Sequence, residues 1–240
     1  MTGSQHSTTE SEIQLLLLPG LGGDHRMAHS QRALPYEVIA LDFISMQRHE
    51  SLPDYAQRFG EYLIAEKLID PGRPLVLAGY SFGSAVVQEL SKNVRADAVI
   101  LIGGLCHSRE LKPLVYWVGK HISRWLPLIG YRFAEYFIEP VIQLVSGVGP
   151  SETHLARTMY HDLPPGFFRD GYDALVNWEG CPVEIPLFRI HGKGDQIITC
   201  PPPGDGVVLV NDAKHMVGQM QPEIVNAAID RFITDVLRLS

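Results

Sequence analysis

The motif with the clearest chemical meaning in this sequence is GYSFG at residues 79–83, which fits the pattern G-x-S-x-G. In that pattern a serine lies on a tight turn between a strand and a helix, where its hydroxyl can attack a carbonyl carbon. The two glycines are needed because larger side chains would collide with the neighbouring strand and helix. The apolar run PLVLAG precedes the motif and the helix-like stretch SAVVQELSK follows it. Ser81 is therefore predicted to lie at the carboxyl end of a buried strand, the edge where open parallel sheets bind ligands.

A serine nucleophile needs a base that takes its proton and an acid that orients the base. Two later apolar runs end in suitable residues: IPLFRI leads into HGKGD, which ends at Asp195, and GVVLV leads into NDAKH, which ends at His215. Both side chains would lie in loops just past strand ends, on the same edge of the sheet as Ser81. The order along the chain is serine, acid, histidine.

Two other carboxylates compete with Asp195 for the acid role. Asp205 precedes its predicted strand, so it should lie at the opposite edge of the sheet, and Asp212 is only three residues from His215. We therefore predict Asp195 as the acid.

Short buried strands must bring these residues together, and the sequence alternates short aliphatic runs with longer amphipathic stretches. The runs do not alternate apolar with polar residues, which indicates strands covered on both faces. One amphipathic stretch follows the sequence from Ser51 to Asp54, which resembles the capping box of a helix start. Another amphipathic stretch begins at Pro222. The pattern predicts an α/β fold with a doubly wound, mostly parallel sheet of about six strands. The predicted strands are Ile13–Pro19, Glu37–Leu41, Pro74–Gly79, Ala98–Gly103, Ile185–Ile190 and Gly206–Val210.

The interval between the fourth and fifth predicted strands, residues 106–180, is too long for a single crossover helix. It holds all three tryptophans, and we interpret it as a helical cap inserted in a core formed by residues 12–105 and 181–240. The alternative, extra helices that only complete the core, stays open. Residues 1–11 are expected to form a disordered tail. The apolar residues predicted to share one helix face of the cap are Leu111, Leu114, Val118, Ile122 and Trp125.

The composition is that of an ordinary globular protein, with 45% hydrophobic and 20% charged residues among 240. A formal net charge of −7 argues against nucleic acid as a partner, because phosphate binding needs a clustered basic face. Three cysteines without C-x-x-C spacing exclude a disulfide scaffold and suit a reducing cytoplasm. The polar first residues do not resemble a signal peptide, and no run approaches the ~18 apolar residues of a membrane span. We expect a cytoplasmic protein whose oligomeric state the sequence leaves open.

The sequence also contains weaker signals for other kinds of site. His25 and His29 are four residues apart and could share a helix face, but no third metal ligand at suitable spacing accompanies them. The loop PGLGGD lacks the third glycine of a dinucleotide-binding turn. His191 closes its strand and is interpreted as a structural member of its turn, and Cys106 as an inert buried thiol. We therefore expect neither a metal nor a cofactor.

Together these motifs resemble the α/β-hydrolase superfamily, and the resemblance covers nearly everything after residue 12. GYSFG is similar to the nucleophile elbow of that superfamily, HGKGD to its acid loop, and KHMV to its catalytic-histidine loop. PGLGGD is similar to the loop that follows an early strand, although Pro19 stands where the family often has histidine. The one or two leading antiparallel strands of larger members are absent from the predicted set of strands.

The resemblance implies a catalytic triad of Ser81, Asp195 and His215. It also implies an oxyanion hole formed by the backbone N–H groups of Leu21 and Phe82, which would stabilise charge that develops only in the transition state. A backbone amide does that work, so the replacement of histidine by proline in the early loop should not remove the donor.

The predicted function is that of a cofactor-independent serine hydrolase acting on a small-molecule ester or thioester. The acyl group would be small and fairly apolar, and it would pass through an acyl-serine intermediate. We expect Trp117 or Trp125 of the cap to line its pocket. Lyases, carbon–carbon bond hydrolases and perhydrolases of the same superfamily use the same triad, and a non-catalytic ligand-binding module could keep the scaffold. These alternatives stay open at the level of sequence.

Overall fold

The structure is a computed structural model in which residues 12–121 and 149–238 are described, so the predicted tail at 1–11 lies outside the described part. Six strands form one parallel sheet with the spatial order second, first, third, fourth, fifth, sixth. The strands are β1 (Gln14–Leu18), β2 (Glu37–Ala40), β3 (Leu75–Tyr80), β4 (Ala98–Ile102), β5 (Leu187–Gly192) and β6 (Val207–Val210). The predicted six-stranded parallel sheet is confirmed. After β2 the chain crosses to the other side of β1, so the switch point of the sheet lies between β1 and β3.

The predicted strand bounds hold to within one or two residues. The largest difference is in β5, which was predicted over Ile185–Ile190 and begins and ends two residues later. Pro186 explains the late start, because proline has no backbone N–H to donate to the ladder. Its carbonyl still accepts a hydrogen bond from the Val99 amide at 2.9 Å.

Helices cover both faces of the sheet. The first begins as the sequence predicts, because the Ser51 side chain accepts a hydrogen bond from the Asp54 amide and Pro53 occupies the first turn. Within the described ranges, 3-10 helices span His25–Ala33 and Ser108–Glu110. The α-helices of the described part are α1 (Leu52–Ala65), α2 (Phe82–Leu90), α3 (Pro113–His121), α4 (Pro150–Asp162), α5 (Phe167–Asn177), α6 (Val217–Met220) and α7 (Pro222–Arg238). No helix within these residues is long and apolar enough to cross a membrane.

The strand β1 shows why the apolar runs do not alternate with polar residues. Leu16 and Leu18 pack into a cluster with residues of α1 and α2. Leu15 and Leu17 point the other way, into a second cluster with the first 3-10 helix and α7. Both faces of the strand are therefore buried, as expected for a parallel sheet covered by helices on two sides.

One predicted helix face in the interval after β4 is wrong. Leu111 precedes α3 and forms an antiparallel bridge with Ile198 instead. Leu114 lies on α3 but is 73% exposed, so it does not share a buried face with Leu111. The start of α3 at Pro113 has two causes. The Lys112 amide donates a 2.8 Å hydrogen bond to the Ile197 carbonyl, outside the helix, and Pro113 fits the first position of a helix because it needs no N–H partner. The predicted partners Ile122 and Trp125 lie outside the described residues.

Candidate active site

Ser81 stands on a sharp turn between β3 and α2, with a backbone φ of +47°, a region that residues other than glycine rarely adopt. The two glycines of the motif make this turn possible. A Cβ added at Gly79 would lie 2.3 Å from the carbonyl carbon of Gly83, and one added at Gly83 would lie 2.3 Å from the carbonyl oxygen of Pro19. The prediction that larger side chains would collide there is confirmed.

A second serine, Ser84, stabilises this turn through hydrogen bonds that were not predicted from the sequence. The buried Ser84 hydroxyl donates a hydrogen bond to the Ser81 carbonyl and accepts one from the Leu105 amide at 3.1 Å. Ser84 thereby ties the turn to the loop after β4. A serine hydroxyl in the first turn of α2, within the apolar stretch that precedes Gln88, is the signal that the sequence offers.

The structure brings the three predicted side chains together at the carboxyl edge of the sheet. Nε2 of His215 lies 3.0 Å from Oγ of Ser81, and Nδ1 of His215 lies 2.8 Å from Oδ2 of Asp195. This geometry assigns the tautomer in which Nδ1–H donates to the carboxylate and Nε2 accepts from the serine hydroxyl. Asp212 is exposed and Asp205 lies before β6, and neither contacts the histidine among the described residues.

The Asp195 carboxylate is buried and surrounded by donors. Its Oδ1 accepts hydrogen bonds from the amides of Ile197 at 2.7 Å and Ile198 at 2.9 Å. Burial raises the pKa of Asp195, but the nearby His191 ring, the His215 ring and the backbone donor outweigh it, so the pKa lies well below its usual value. The acid is therefore ionised at neutral pH and able to orient the histidine.

His191, predicted to be structural, is buried at the end of β5 and faces the same carboxylate. Its Nε2 lies 3.1 Å from Oδ2 of Asp195. That contact does not have the geometry of a hydrogen bond, and neither ring nitrogen has a hydrogen-bond partner among the described residues.

The loop after β1 lies directly over the serine. A Cβ added at Gly20 would be 3.4 Å from Cβ of Ser81. The Leu21 amide donates to no atom of the described chain, and the Phe82 amide opens α2, where a helix offers no internal acceptor. Both predicted oxyanion donors therefore belong to segments next to Ser81. The Gly20 amide donates to the sulfur of Met27 at 3.3 Å, a support that the sequence analysis missed because thioether acceptors follow no spacing rule.

A cavity of about 350 Å³ opens at Ser81 and His215. Its walls come from the loop after β1, the first 3-10 helix and the helices α3, α4 and α5, and they are mostly apolar. Trp117, predicted as a candidate for the pocket, is 53% exposed and is not among the described lining residues, whereas Trp125 lies outside the described part. The apolar lining includes Leu21, Met27, Val115, Met159, Tyr172 and Leu175.

Two other features lie away from this cavity. A larger cavity of about 690 Å³ lies near Lys67 and Arg95, at the amino ends of β1 and β3, and holds none of the predicted site residues. Asp24, His25 and Asp42 have ligand atoms close enough to hold a metal ion, but Arg26 already pairs with Asp24. His29 is not part of this Asp24, His25 and Asp42 cluster, so the cluster does not contain the His25 and His29 pair that the sequence suggested.

Comparison with solved structures supports the fold. A thermophilic esterase from Thermogutta terrifontis is 18% identical with a TM-score of 0.75, over 95% of this chain and 92% of that one. An enol-lactonase from Burkholderia xenovorans is 16% identical with a TM-score of 0.70, over 97% and 94%. A hydrolase from Oleispira antarctica is 16% identical with a TM-score of 0.70, over 92% and 90%.

A search of curated protein sequences finds no match to this chain. The sequence model of the alpha/beta hydrolase family matches residues 15–228, a span that includes β2 to β6, all of β1 except its first residue, and Ser81, Asp195 and His215. The match covers most of the chain, so this protein belongs to the alpha/beta hydrolase family.

Proposed function

We propose that this protein is a cofactor-independent serine hydrolase that cleaves a carboxylic ester or thioester of a small, apolar acyl group. One observation carries the proposal: the contacts from Ser81 to His215 to Asp195, at 3.0 and 2.8 Å, open onto an apolar cavity. A nucleophile, a base and an orienting acid in mutual hydrogen-bond reach are what acyl transfer through serine requires.

In the proposed reaction Oγ of Ser81 attacks the carbonyl carbon while Nε2 of His215 takes the hydroxyl proton. The carbonyl oxygen becomes negatively charged and accepts hydrogen bonds from the amides of Leu21 and Phe82. His215 then gives its proton to the leaving alcohol or thiol, and the acyl group stays on the serine. Water repeats the same steps in the second half, releasing the acid and restoring the hydroxyl.

The amides of Leu21 and Phe82 are proposed to account for much of the rate enhancement. Removing one such donor from an unrelated protease lowers kcat by about 10²–10³. The amino-terminal end of α2 adds a partial positive charge at the same place. The Met27 sulfur, which accepts from Gly20, helps to hold the loop that carries Leu21.

The segment between β4 and β5, residues 106–180, is proposed to act as a helical cap over the site. Its support is that Leu111, Val115, Met159 and Tyr172 all line the cavity that opens at Ser81. A cavity near 350 Å³ is at the small end of ligand pockets, which span about 300–1,000 Å³. The described lining includes no Asp, Glu, Lys or Arg, which favours an uncharged acyl group.

A fluorophosphonate probe tests the proposal, because only an activated serine attacks it rapidly. We expect one covalent adduct per chain, located by peptide mass spectrometry at Ser81, and hydrolysis of short p-nitrophenyl or thioester substrates. A lyase or perhydrolase with the same triad would give the covalent adduct but would not hydrolyse the p-nitrophenyl or thioester substrates at a significant rate. A non-catalytic ligand-binding module would give neither.

A further inference from the structure

His191 is a buried, ionisable side chain that the proposed reaction does not use. It lies at the end of β5 with no exposed surface, and its Nε2 is 3.1 Å from Oδ2 of Asp195. The same Oδ2 accepts the hydrogen bond from Nδ1 of His215 at 2.8 Å. One carboxylate oxygen therefore faces two imidazole rings.

An imidazole ring always carries at least one N–H, and burying that donor without an acceptor costs free energy. Among the described residues neither ring nitrogen of His191 has a well-aligned partner, and Asp195 is the charged group within ion-pair distance. At 3.1 Å, Nε2 is nevertheless within hydrogen-bond distance of Oδ2. Hydrogen bonds in unliganded active sites are often long or poorly aligned and tighten when substrate binds.

We propose that His191 is a positioning residue, which donates from Nε2 to Oδ2 of Asp195 and thereby sets how strongly that carboxylate holds His215. This inference rests on the proposed function, since it assigns a second histidine to the same serine, histidine and aspartate. With His191 included, the carboxylate has four donors: two backbone amides on Oδ1 and two imidazoles on Oδ2.

The second donor has a chemical consequence. The His191 N–H draws electron density from Oδ2, so less negative charge remains to stabilise the protonated ring of His215. Among the described residues, the ion pairs of this cluster join Asp195 only to His191 and His215, and the residue paired with His191 on β6 is the apolar Leu209. Loss of the donor should therefore stabilise the protonated form of His215 and remove the free base at a higher pH.

A matched pair of variants of the full-length protein tests this. His191→Gln keeps an N–H donor close to the position of Nε2, whereas His191→Met has a similar length and no donor. The measurement is the rate of fluorophosphonate labelling between pH 4 and 9, together with the melting temperature of each variant. For His191→Met we expect the acid limb of the profile to move to higher pH by about one unit. For His191→Gln the limb should stay within about 0.3 unit of the wild type, because the donor remains.

The outcomes separate this inference from the proposed function. If the wild type is labelled at Ser81 and both variants keep the wild-type limb, His191 is only structural and the inference is wrong. If the wild type is not labelled at all, the proposed function is wrong instead.

If His191→Met does not fold, histidine-selective ¹⁵N NMR of the wild type decides the question. A protonated Nε2 on His191 throughout the pH range in which His215 titrates supports the inference. A bare Nε2 in that range overturns it.

Discussion

The Ser81 hydroxyl lies 3.0 Å from Nε2 of His215, although 134 residues separate the two along the chain. The parallel sheet makes this contact possible, because Ser81 follows β3 and His215 follows β6, and carboxyl ends of parallel strands share one edge. The loop that carries His215 packs closely against the loop after β4, which helps to set the distance from His215 to Ser81. A Cβ added at Gly103, after β4, would lie only 2.6 Å from the His215 carbonyl oxygen.

The first prediction concerns the nucleophile. Ser81→Ala should abolish fluorophosphonate labelling and lower ester turnover by about four or more orders of magnitude, a scale taken from the triad variants of an unrelated protease. The fold should survive, because Gly79 and Gly83 still shape the turn. Ser91→Ala, at the other end of α2, is the control and should be labelled like the wild type. An alanine variant that kept more than a tenth of the esterase activity would show that Ser81 is not the nucleophile.

The second prediction separates two acids. Asp195→Asn should lower kcat by about 10⁴, as the equivalent change does in a serine protease, because an amide favours the wrong histidine tautomer. Asp212→Asn should change kcat less than threefold, since Asp212 is exposed and does not contact His215 in the described structure. Steady-state kinetics with one p-nitrophenyl ester suffice for both variants. The reverse ranking would identify Asp212 as the acid.

The residues that the sequence predicted best are those at strand ends. The runs of aliphatic residues predict the six strands, and a Gly, Asp or Asn marks where each run closes, so Ser81, Asp195 and His215 could be placed on one edge. The supporting contacts were not predictable in the same way. Ser84, Met27 and the amides that hold Asp195 act across elements far apart in sequence, and no spacing rule reports such contacts.

For the helices after β4, the sequence did not predict which face of each helix is buried. Apolar residues there recur at helical spacing, yet Leu114 and Trp117 are exposed on α3 while Val115 lines the cavity. Periodicity identifies a helix, but the face that is covered depends on which other elements dock against it. In this segment the covering elements include α5 and the loop after β5, whose positions follow from tertiary packing.

The third prediction concerns the turn that carries Ser81. Gly83→Ala would place a Cβ 2.3 Å from the Pro19 carbonyl oxygen, and this backbone neighbour cannot move without shifting β1. Overpacking of this kind costs about 1–3 kcal/mol, which corresponds to a melting temperature about 2–12 °C lower. Gly204→Ala is the matched control, because nothing lies within 4 Å of a Cβ added there. Equal melting temperatures for the two variants would contradict the close packing of the turn.

The fourth prediction uses the pH dependence of stability. Burial raises the pKa of Asp24, but hydrogen bonds and charge from Arg26 outweigh it, so the pKa is lower in the folded protein than in the unfolded chain. The stabilisation is therefore present above about pH 4 and is lost as the pH falls through the folded value. Asp24→Asn should lower the melting temperature at pH 7 by about 4 °C or less, because Arg26 is partly exposed and the pair is screened.

The control for Asp24 is Asp235→Asn, whose partner Arg231 is 86% exposed and which should leave the melting temperature unchanged. Thermal melts of wild type and both variants at pH 7, 5, 4 and 3 provide the comparison. The difference in melting temperature between the wild type and Asp24→Asn should become smaller below pH 4. A difference that widens there would reverse the sign and refute the assignment.

The last prediction concerns the acyl pocket. Each buried methylene contributes about 0.8 kcal/mol, so kcat/KM for linear p-nitrophenyl esters should rise about fourfold per carbon until the cavity is full, and then fall. Met159→Ala removes a buried side chain from the cavity wall and should move the maximum toward longer chains. Trp117→Ala, on the exposed side of α3, should leave the maximum in place. A wild-type profile with no maximum, or a shift with Trp117→Ala alone, would rule out this cavity as the acyl site.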